Sequence, residues 1–425
     1  MTPLGWSQIA RLGLVQSAIG AMVMLSTSLL NRVMVVEYAM AAAIPAGLVA
    51  WHYAVQLSRP AWGHGSDKGR RRTPWIIGGM AVLAAGSMLA VAATIWQLFA
   101  LAVVAFTLIG AGVGAAGTSL LALLATRTAP DRRAGAASLT WIMMIIGIIV
   151  AAGMAGKLLD PFSVERLVAV VGGVALVAFT VATVGVWGIE GDPVVQPATA
   201  PGTSFGAALQ EIWADPESRG FTIFVFMSML AYSMQDMILE PFAGLMFAYT
   251  PGQSTSLSGI QHQGVLAGMI LVGFGARTFG GGTARGLRSW TVGGCLGSAV
   301  ALAALAAGAQ LAPSWPLAAN VALLGFCNGV FAVSAIGAMM ALAGQGGGSK
   351  EGIRMGVWGA AQAIAFGLGG LSGAVGVDAM RAFSGADGPA FSNVFAVEAG
   401  LFLVAAWLAA GTVSPAPARV REVLV

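Results

Sequence analysis

The sequence alternates long apolar stretches with short polar breaks. A helix needs about 20 consecutive apolar residues to cross the hydrocarbon core of a bilayer. Stretches of that kind run over 12–36, 38–57, 74–94, 97–125, 135–158, 166–188, 220–247, 257–276, 290–309, 317–343, 354–382 and 392–411. Because they are long and lack the period-two alternation of strands, we predict an all-α membrane protein with twelve transmembrane helices.

Composition supports the same environment. The chain is 57% hydrophobic and 9% charged, with a mean hydropathy of +0.84, whereas soluble domains carry about 25% charged residues. Its 60 glycines suit helices that pack closely in lipid. These values exclude an ordinary water-soluble protein.

The basic residues indicate the orientation. With the N-terminus in the cytoplasm, 17 of the 21 basic residues fall on the cytoplasmic side, and the others are Arg32, Lys157, Arg166 and Arg381. Positive residues accumulate on that side of membrane proteins. We therefore predict that both termini are cytoplasmic, and that the net charge of +4 reflects topology rather than binding to nucleic acid.

The two halves of the chain repeat one pattern. Trp75 and Gly79 match Trp290 and Gly294 at one common offset in the numbering. Further matches at this offset or close to it pair Gly110 with Gly325, Gly114 with Gly329, Gly135 with Gly352, Trp141 with Trp358 and Gly156 with Gly373. Ordered matches of this kind predict two pseudo-symmetric six-helix halves.

The repeat and the polar breaks define four segments. We predict an N-terminal half over 1–188, a cytoplasmic linker over 189–218, a C-terminal half over 219–413 and a cytoplasmic tail over 414–425. Within the linker, the spacing of Phe205, Leu209, Ile212 and Trp213 predicts a short amphipathic helix at the interface.

The loop after the second helix reads GHGSDKGRRR over 63–72. It resembles the signature of the major facilitator superfamily, in which a Gly is followed by an Asp and a basic cluster. The resemblance implies a cytoplasmic latch made of Gly63, Asp67, Arg70, Arg71 and Arg72. Arg70 stands where the family usually has a second Gly, and a purely positive-inside loop is the alternative.

Ionisable residues inside a membrane are costly and indicate function. Arg32 and Glu37 end the first helix, and Asp236 and Glu240 occupy the equivalent place in the seventh. We predict an inter-half charge cluster in which Arg32 faces Asp236, with Glu240 as the alternative partner. A structural lock, a substrate-handling cluster and independent interfacial anchors are the possible roles.

Several long strings resemble one branch of that superfamily, the PucC or bacteriochlorophyll-delivery family. They are LNRVMVVE at 30–37, HYAVQ at 52–56, RRRTPWIIGG at 70–79, QDMILEPFAG at 235–244 and MGVWGAAQ at 355–362. The resemblance implies a non-enzymatic protein that transiently binds bacteriochlorophyll or a late precursor. It also implies a bacterial inner or intracytoplasmic photosynthetic membrane, with light-harvesting polypeptides or pigment-synthesis enzymes as partners.

Candidate pigment ligands are few. His52 and His262 lie in predicted helices, and neither has a metal-site partner one turn away, so a zinc or iron site is not predicted. One imidazole nitrogen suffices for the magnesium of a chlorophyll, although packing in the core is the alternative role. Gln362 is a further polar candidate. No nucleophile–base arrangement or nucleotide-binding motif supports an enzyme.

Two other functions fit this sequence. A proton-coupled secondary transporter of a small amphipathic solute would use Asp236 or Glu240, and inverted repeats usually serve such transport. A structural partner of antenna proteins would need no pigment.

Overall fold

The computed structural model describes residues 4–59, 62, 71–129, 133–190, 210, 213–214, 216–278, 284–344 and 351–412. The first half contains α1 (Trp6–Glu37), α2 (Ala43–Gln56), α3 (Thr73–Ile95), α4 (Phe99–Arg127), α5 (Arg133–Leu158) and α6 (Val164–Val186). The second contains α7 (Pro216–Phe247), α8 (Pro251–Thr278), α9 (Ala284–Leu311), α10 (Leu317–Gly344), α11 (Glu351–Ser384) and α12 (Asp387–Thr412). The predicted all-α architecture is confirmed.

Among the described residues, ten of these helices are long and apolar enough to cross a membrane. The exceptions are α2, which has 14 residues, and α8, which carries a run of polar side chains over 253–263. Polar helices in membrane proteins face other helices or an internal space rather than lipid. The chain is therefore a multi-pass membrane protein in which α8 lines the interior.

Three helices begin six residues before their predicted starts, α1 at Trp6, α8 at Pro251 and α9 at Ala284. At α8 the reason is a reciprocal cap in a polar first turn. The Thr250 N–H donates to Gln253 Oε1 at 3.0 Å, and the Gln253 N–H donates to Thr250 Oγ1 at 3.2 Å. Such a capping box satisfies N–H groups that the helix leaves unpaired, so the helix starts ahead of its apolar stretch.

The two halves use the same helix pairings. In the first half α1 packs on α5 and α6, α4 packs on α2 and α3, and α3 packs on α6. In the second half α7 packs on α11 and α12, α10 packs on α8 and α9, and α9 packs on α12. Each half has its own apolar core, and the halves meet mainly through α5 with α8 and α2 with α11.

Close helix contacts confirm the repeat that relates Gly79 to Gly294. A Cβ on Gly79 would lie 2.6 Å from the Ala116 nitrogen, and a Cβ on Gly294 would lie 2.5 Å from the Phe331 nitrogen. Ala116 and Phe331 are themselves related by the same offset in the numbering. The α3–α4 and α9–α10 contacts therefore repeat at the level of backbone spacing.

The repeat that relates α5 to α11 is less regular in space. Gly156 on α5 meets α8 across the halves, with its Cβ position 2.7 Å from the Gly252 carbonyl oxygen. Gly373 on α11 meets α7 in its own half, 2.8 Å from the Met234 carbonyl oxygen. The side chain of Trp358 and most of the predicted linker, with most of its amphipathic helix, lie outside the described residues. Trp213, which is described, is exposed.

Candidate functional site

The last part of α1 is not a regular α-helix. Residues Leu25–Leu29 and Val33–Glu37 form wider π turns, seen where the Tyr38 N–H donates to the Val33 carbonyl at 3.2 Å. Such turns are rare and often occur at functional sites. Arg32 lies between the two turns and is 1% exposed.

The Arg32 guanidinium joins the two halves. Its Nη1 donates to Glu37 Oε1 at 2.6 Å, Nη2 to the Tyr249 carbonyl at 2.6 Å and Nε to Ser254 Oγ at 3.3 Å. Glu37 belongs to the same helix, whereas Tyr249 and Ser254 belong to the second half. A guanidinium offers five N–H donors in a rigid fork, which suits this three-way arrangement.

The structure brings together three of the four residues of the predicted charge cluster. Arg32 pairs with Glu37 and interacts electrostatically with Glu240. Glu240 is 1% exposed and accepts a hydrogen bond from Ser258 Oγ at 2.5 Å. Within the described residues, Glu37 is the carboxylate within 4.0 Å of Arg32, so the pairing with Asp236 is not present in this conformation.

A proline explains the neighbouring contact between halves. Pro241 lies inside α7 and has no N–H, so the Met237 carbonyl, four residues earlier, receives no helical hydrogen bond from it. Asn31 Nδ2 donates to that carbonyl at 2.7 Å. An amide of the first half thus satisfies a backbone group that the second half leaves free.

A third contact lies at the same end of the bundle. Asp378 on α11 accepts the N–H of Ala42 at 3.1 Å and of Ala43 at 2.7 Å, at the start of α2. A carboxylate at a helix N-terminus satisfies free N–H groups and complements the helix dipole. Arg381 holds Asp378 at 3.3 Å and Asp387 at 2.5 Å.

The repeat places a related residue on the opposite flank. Asp160 follows α5, close to the position that the repeat pairs with Asp378. A Cβ on Gly252, at the start of α8, would lie 3.1 Å from the Cβ of Asp160. These contacts all lie where α1, α5, α7 and α11 end. We call the set formed around Arg32, Asn31 and Asp378 the closing interface.

Sequence reasoning missed Asp378 and its role. Arg381 was noted only as one of the four basic residues that do not fall on the cytoplasmic side. The signal was an Asp and an Arg three residues apart near the end of an otherwise apolar helix. Opposite charges three residues apart lie on one helical face and commonly form an ion pair. The backbone N–H groups on α2 that donate to Asp378 carry no sequence signature.

The two candidate histidines have different surroundings. His52 is fully buried, and its Nε2 lies 2.8 Å from Gln56 Nε2. The other end of the Gln56 amide, Oε1, accepts a hydrogen bond from Arg59. Since the Gln56 amide nitrogen can only donate, the lone pair of His52 Nε2 is already occupied. His52 therefore does not offer a free ligand atom in this structure.

His262 is arranged differently. It is half-buried, and its Nδ1 lies 2.8 Å from the Ser258 carbonyl, so Nδ1 carries the hydrogen and Nε2 keeps a lone pair. A hydrogen bond of this kind fixes the tautomer and ring orientation of metal-ligating histidines. His262 follows Ser254 and Ser258 at four-residue intervals, on the face of α8 that meets α1 and α7.

Aromatic and acidic side chains form a second group, on α2, α7 and α11. Phe366 on α11 lies 5.8 Å from Tyr53 and 5.9 Å from Tyr232 between ring centroids, and Gln362 is half-buried one turn before it. Asp236 is half-buried and interacts electrostatically with both tyrosines. This group therefore combines aromatic rings with a few polar groups, as ligand pockets commonly do.

Most of the predicted cytoplasmic latch lies outside the described residues, namely Gly63, Asp67 and Arg70. Arg71 is exposed. The N–H groups of Arg72 and Thr73, at the start of α3, donate to the Glu190 carboxylate, the second at 2.8 Å. Arg127 donates to the Glu190 carbonyl. The latch through Asp67 stays a prediction, and Glu190 is a cap that sequence reasoning missed.

Comparison with known proteins places this arrangement in a family. The chain matches the family described as PUCC protein over residues 29–416. The chain belongs to the PUCC family. It is 53% identical over 430 residues to the protein named bacteriochlorophyll synthase 44.5 kDa chain of Rhodobacter capsulatus, covering 99% of each chain. It is 29% identical to Protein PucC of the same organism, covering 94% of this chain and 90% of the relative.

Solved structures show the fold. The nucleoside transporter NupG superposes with a TM-score of 0.71 at 13% identity, covering 96% of this chain and all of NupG. A variant of NupG gives a TM-score of 0.70 at 14% identity. The predicted fold of the major facilitator superfamily is confirmed.

Proposed function

We propose that this protein binds bacteriochlorophyll or a late precursor in transit and delivers it to photosynthetic complexes or the enzymes that make the pigment. The proposal starts from the PUCC family and from the 53% identical relative, whose name refers to bacteriochlorophyll synthesis. Here the pigment is cargo, and we propose that the protein itself performs no catalysis.

The observation that carries the proposal is the geometry of His262. The magnesium of a chlorophyll takes one axial ligand from a protein, and a neutral imidazole with a fixed tautomer is suitable. His262 Nδ1 is held by the Ser258 carbonyl at 2.8 Å, which leaves Nε2 free on a half-buried side chain. His52, the other histidine of the predicted ligand set, has its Nε2 engaged by Gln56.

The surface around His262 suits a tetrapyrrole. Tyr53, Tyr232 and Phe366 offer rings against which a flat macrocycle can stack, and Gln362 is a second polar group near them. The half-buried state of these side chains leaves room for contact with a ligand. We assign the macrocycle to this surface between the halves.

The closing interface gives the delivery cycle its conformational element. Arg32, Asn31 and Asp378 join the halves at one end of the bundle. With both termini in the cytoplasm, as we propose, that end is periplasmic and the pigment is exchanged from the cytoplasmic side or the membrane. We also propose that the two halves have the boundaries predicted from the sequence and that the protein lies in the photosynthetic membrane.

The test replaces the proposed ligand in the full-length protein. His262→Ala purified from a phototrophic host in mild detergent should retain about tenfold less pigment per protein than wild type, equivalent to about 1.4 kcal/mol. Added imidazole should restore retention, because it can occupy the vacated ligand position. Gln263→Ala is the matched control, since Gln263 is the next residue and is exposed.

Unchanged pigment in His262→Ala would contradict the assignment of the ligand.

A second candidate function is secondary transport of a small amphipathic solute, which the likeness to NupG favours at the level of fold. That function predicts solute uptake by proteoliposomes and colourless wild-type protein.

A further inference from the structure

A buried glutamate in the second half has no role in the function proposed above. Glu398 lies in the apolar helix α12 and is 0% exposed. Both of its carboxylate oxygens lack a hydrogen-bond partner. Among the residues that the structure describes, no basic side chain lies within ion-pair distance of it.

A second unsatisfied side chain comes from the neighbouring helix. Gln235 on α7 is also 0% exposed, and neither its amide oxygen nor its amide nitrogen has a partner. Its backbone N–H is close to the Glu398 carboxyl group. Four side-chain polar atoms that could bond therefore remain unused where α7 packs on α12.

The chemistry of these two groups depends on a proton. An ionised carboxylate has only acceptors, and burying one without donors is very costly. A protonated carboxyl group has an O–H donor as well as a carbonyl acceptor. It can therefore donate to a primary amide oxygen and accept from the amide nitrogen, so that Glu398 and Gln235 satisfy each other after a side-chain rotation.

The surrounding titratable groups support a proton rather than a metal ion. Asp236, next to Gln235, interacts electrostatically with Glu398 and is half-buried beside Tyr53 and Tyr232. α12 also packs on α9 and α11. On α9 the titratable group in the core is Cys295, and on α11 Asp378 and Arg381 are engaged at the closing interface. In the described parts of the chain, no cluster of three or more potential metal ligands occurs.

We propose that Glu398 is a proton-binding site, with Gln235 as its hydrogen-bond partner and Asp236 as the group that exchanges the proton with the space between the halves. In the exchange, protonated Asp236 and ionised Glu398 become ionised Asp236 and protonated Glu398. The residue after Asp236 on α7 is Met237, whose carbonyl accepts the hydrogen bond from the Asn31 amide in the closing interface. Proton binding at Glu398 is therefore connected through α7 to the contact that closes the halves.

Infrared difference spectroscopy of the full-length purified protein tests the site without pigment, so its outcome is independent of the proposed delivery function. A protonated carboxyl group has a C=O stretching band that an ionised one lacks. We expect a component of this band at neutral pH that disappears in Glu398→Gln and remains in Glu165→Gln, which alters an exposed glutamate. Gln235→Leu should shift the component, because it removes the hydrogen bond to the acid.

Two results would overturn the proposal. One is a spectrum that neither Glu398→Gln nor Gln235→Leu changes. The other is a component that appears or disappears with sodium concentration at constant pH, since this would identify a cation site. The Gln235→Leu shift keeps the test informative if Glu398→Gln does not fold.

Discussion

Paired glycines in α3 and α9 give a sharp test of the repeat. Gly78 and Gly79 are neighbours in α3, and Gly293 and Gly294 are their counterparts in α9. A Cβ on Gly78 or Gly293 would meet nothing within 4 Å. A Cβ on Gly79 would lie 2.6 Å from the Ala116 nitrogen, and a Cβ on Gly294 would lie 2.5 Å from the Phe331 nitrogen. Within each pair, one alanine should be tolerated and the other should not.

The magnitude follows from two opposing terms. Overpacking costs about 1–3 kcal/mol, and the upper end applies here because the obstacle at each crowded position is backbone rather than a movable side chain. Replacing Gly by Ala in a helix gains about 1 kcal/mol. We expect Gly79→Ala and Gly294→Ala to destabilise by about 2 kcal/mol, and Gly78→Ala and Gly293→Ala to stabilise by up to about 1 kcal/mol.

Thermal unfolding of the four purified variants in one detergent measures the difference. A gap of about 3 kcal/mol between neighbouring substitutions corresponds to about 6–12 °C in the apparent Tm of a unit the size of one half. The gap should have the same sign and similar size in α3 and α9. Equal Tm values within either pair would refute the close-contact explanation of the repeat.

Three further predictions concern the closing interface. Arg32→Ala should lower the free energy of unfolding by about 3 kcal/mol and lengthen spin-label distances between the starts of α2 and α12. Arg32→Lys keeps the ion pair with Glu37, so its loss of stability should be about half as large. Equal losses in the two variants would contradict the role of the guanidinium fork. Asn31→Ala should destabilise the protein by about 1–3 kcal/mol, because it leaves the Met237 carbonyl unpaired. Adding Pro241→Ala should recover part of this loss, because residue 241 then has an N–H that can donate to the same carbonyl. Strictly additive effects in the double variant would argue that Asn31 and residue 241 do not act on one carbonyl. Asp378→Asn should increase amide hydrogen exchange in the first turn of α2, and unchanged exchange there would show that the carboxylate does not hold that turn.

Hydropathy was sufficient to predict the helices, because a bilayer favours long apolar segments. Even the short α2 and the polar α8, which do not meet the full criterion, keep an apolar stretch. The repeat was visible because the close contacts at Gly79 and Gly294 tolerate no side chain. The early start of α8 was readable in principle, since Thr250 and Gln253 form a capping box. Helix ends are set by such local hydrogen bonds, which an apolar window does not detect.

The partners of Arg32 could not be predicted from spacing. Residues five apart lie on different sides of an α-helix, so Glu37 was not an expected direct partner of Arg32. The π turn over Val33–Glu37 brings the two side chains to 2.6 Å. Tyr249 contributes its carbonyl oxygen, which has no sequence signature. Pseudo-symmetry predicted where the halves meet, but it did not predict which atoms meet.

Two carboxylates of the second half show different limits of sequence reasoning. Glu398 is the lone acid of the apolar stretch 392–411, and such residues indicate function by default, but sequence reasoning did not single it out. Its unsatisfied oxygens and its proximity to Gln235 required the structure. Asp378 binds backbone donors on a helix in the other half of the chain, a contact that no local pattern encodes.

The absorbance spectrum of the wild-type protein tests the central claim most directly. The full-length chain would be purified in mild detergent from a phototrophic host and separated by size, so that pigment bound to the protein is distinguished from free pigment and from antenna complexes. We predict a bacteriochlorophyll or late-precursor band that elutes with the protein at less than one pigment per chain. Colourless protein, prepared under conditions that keep antenna complexes coloured, would contradict pigment delivery.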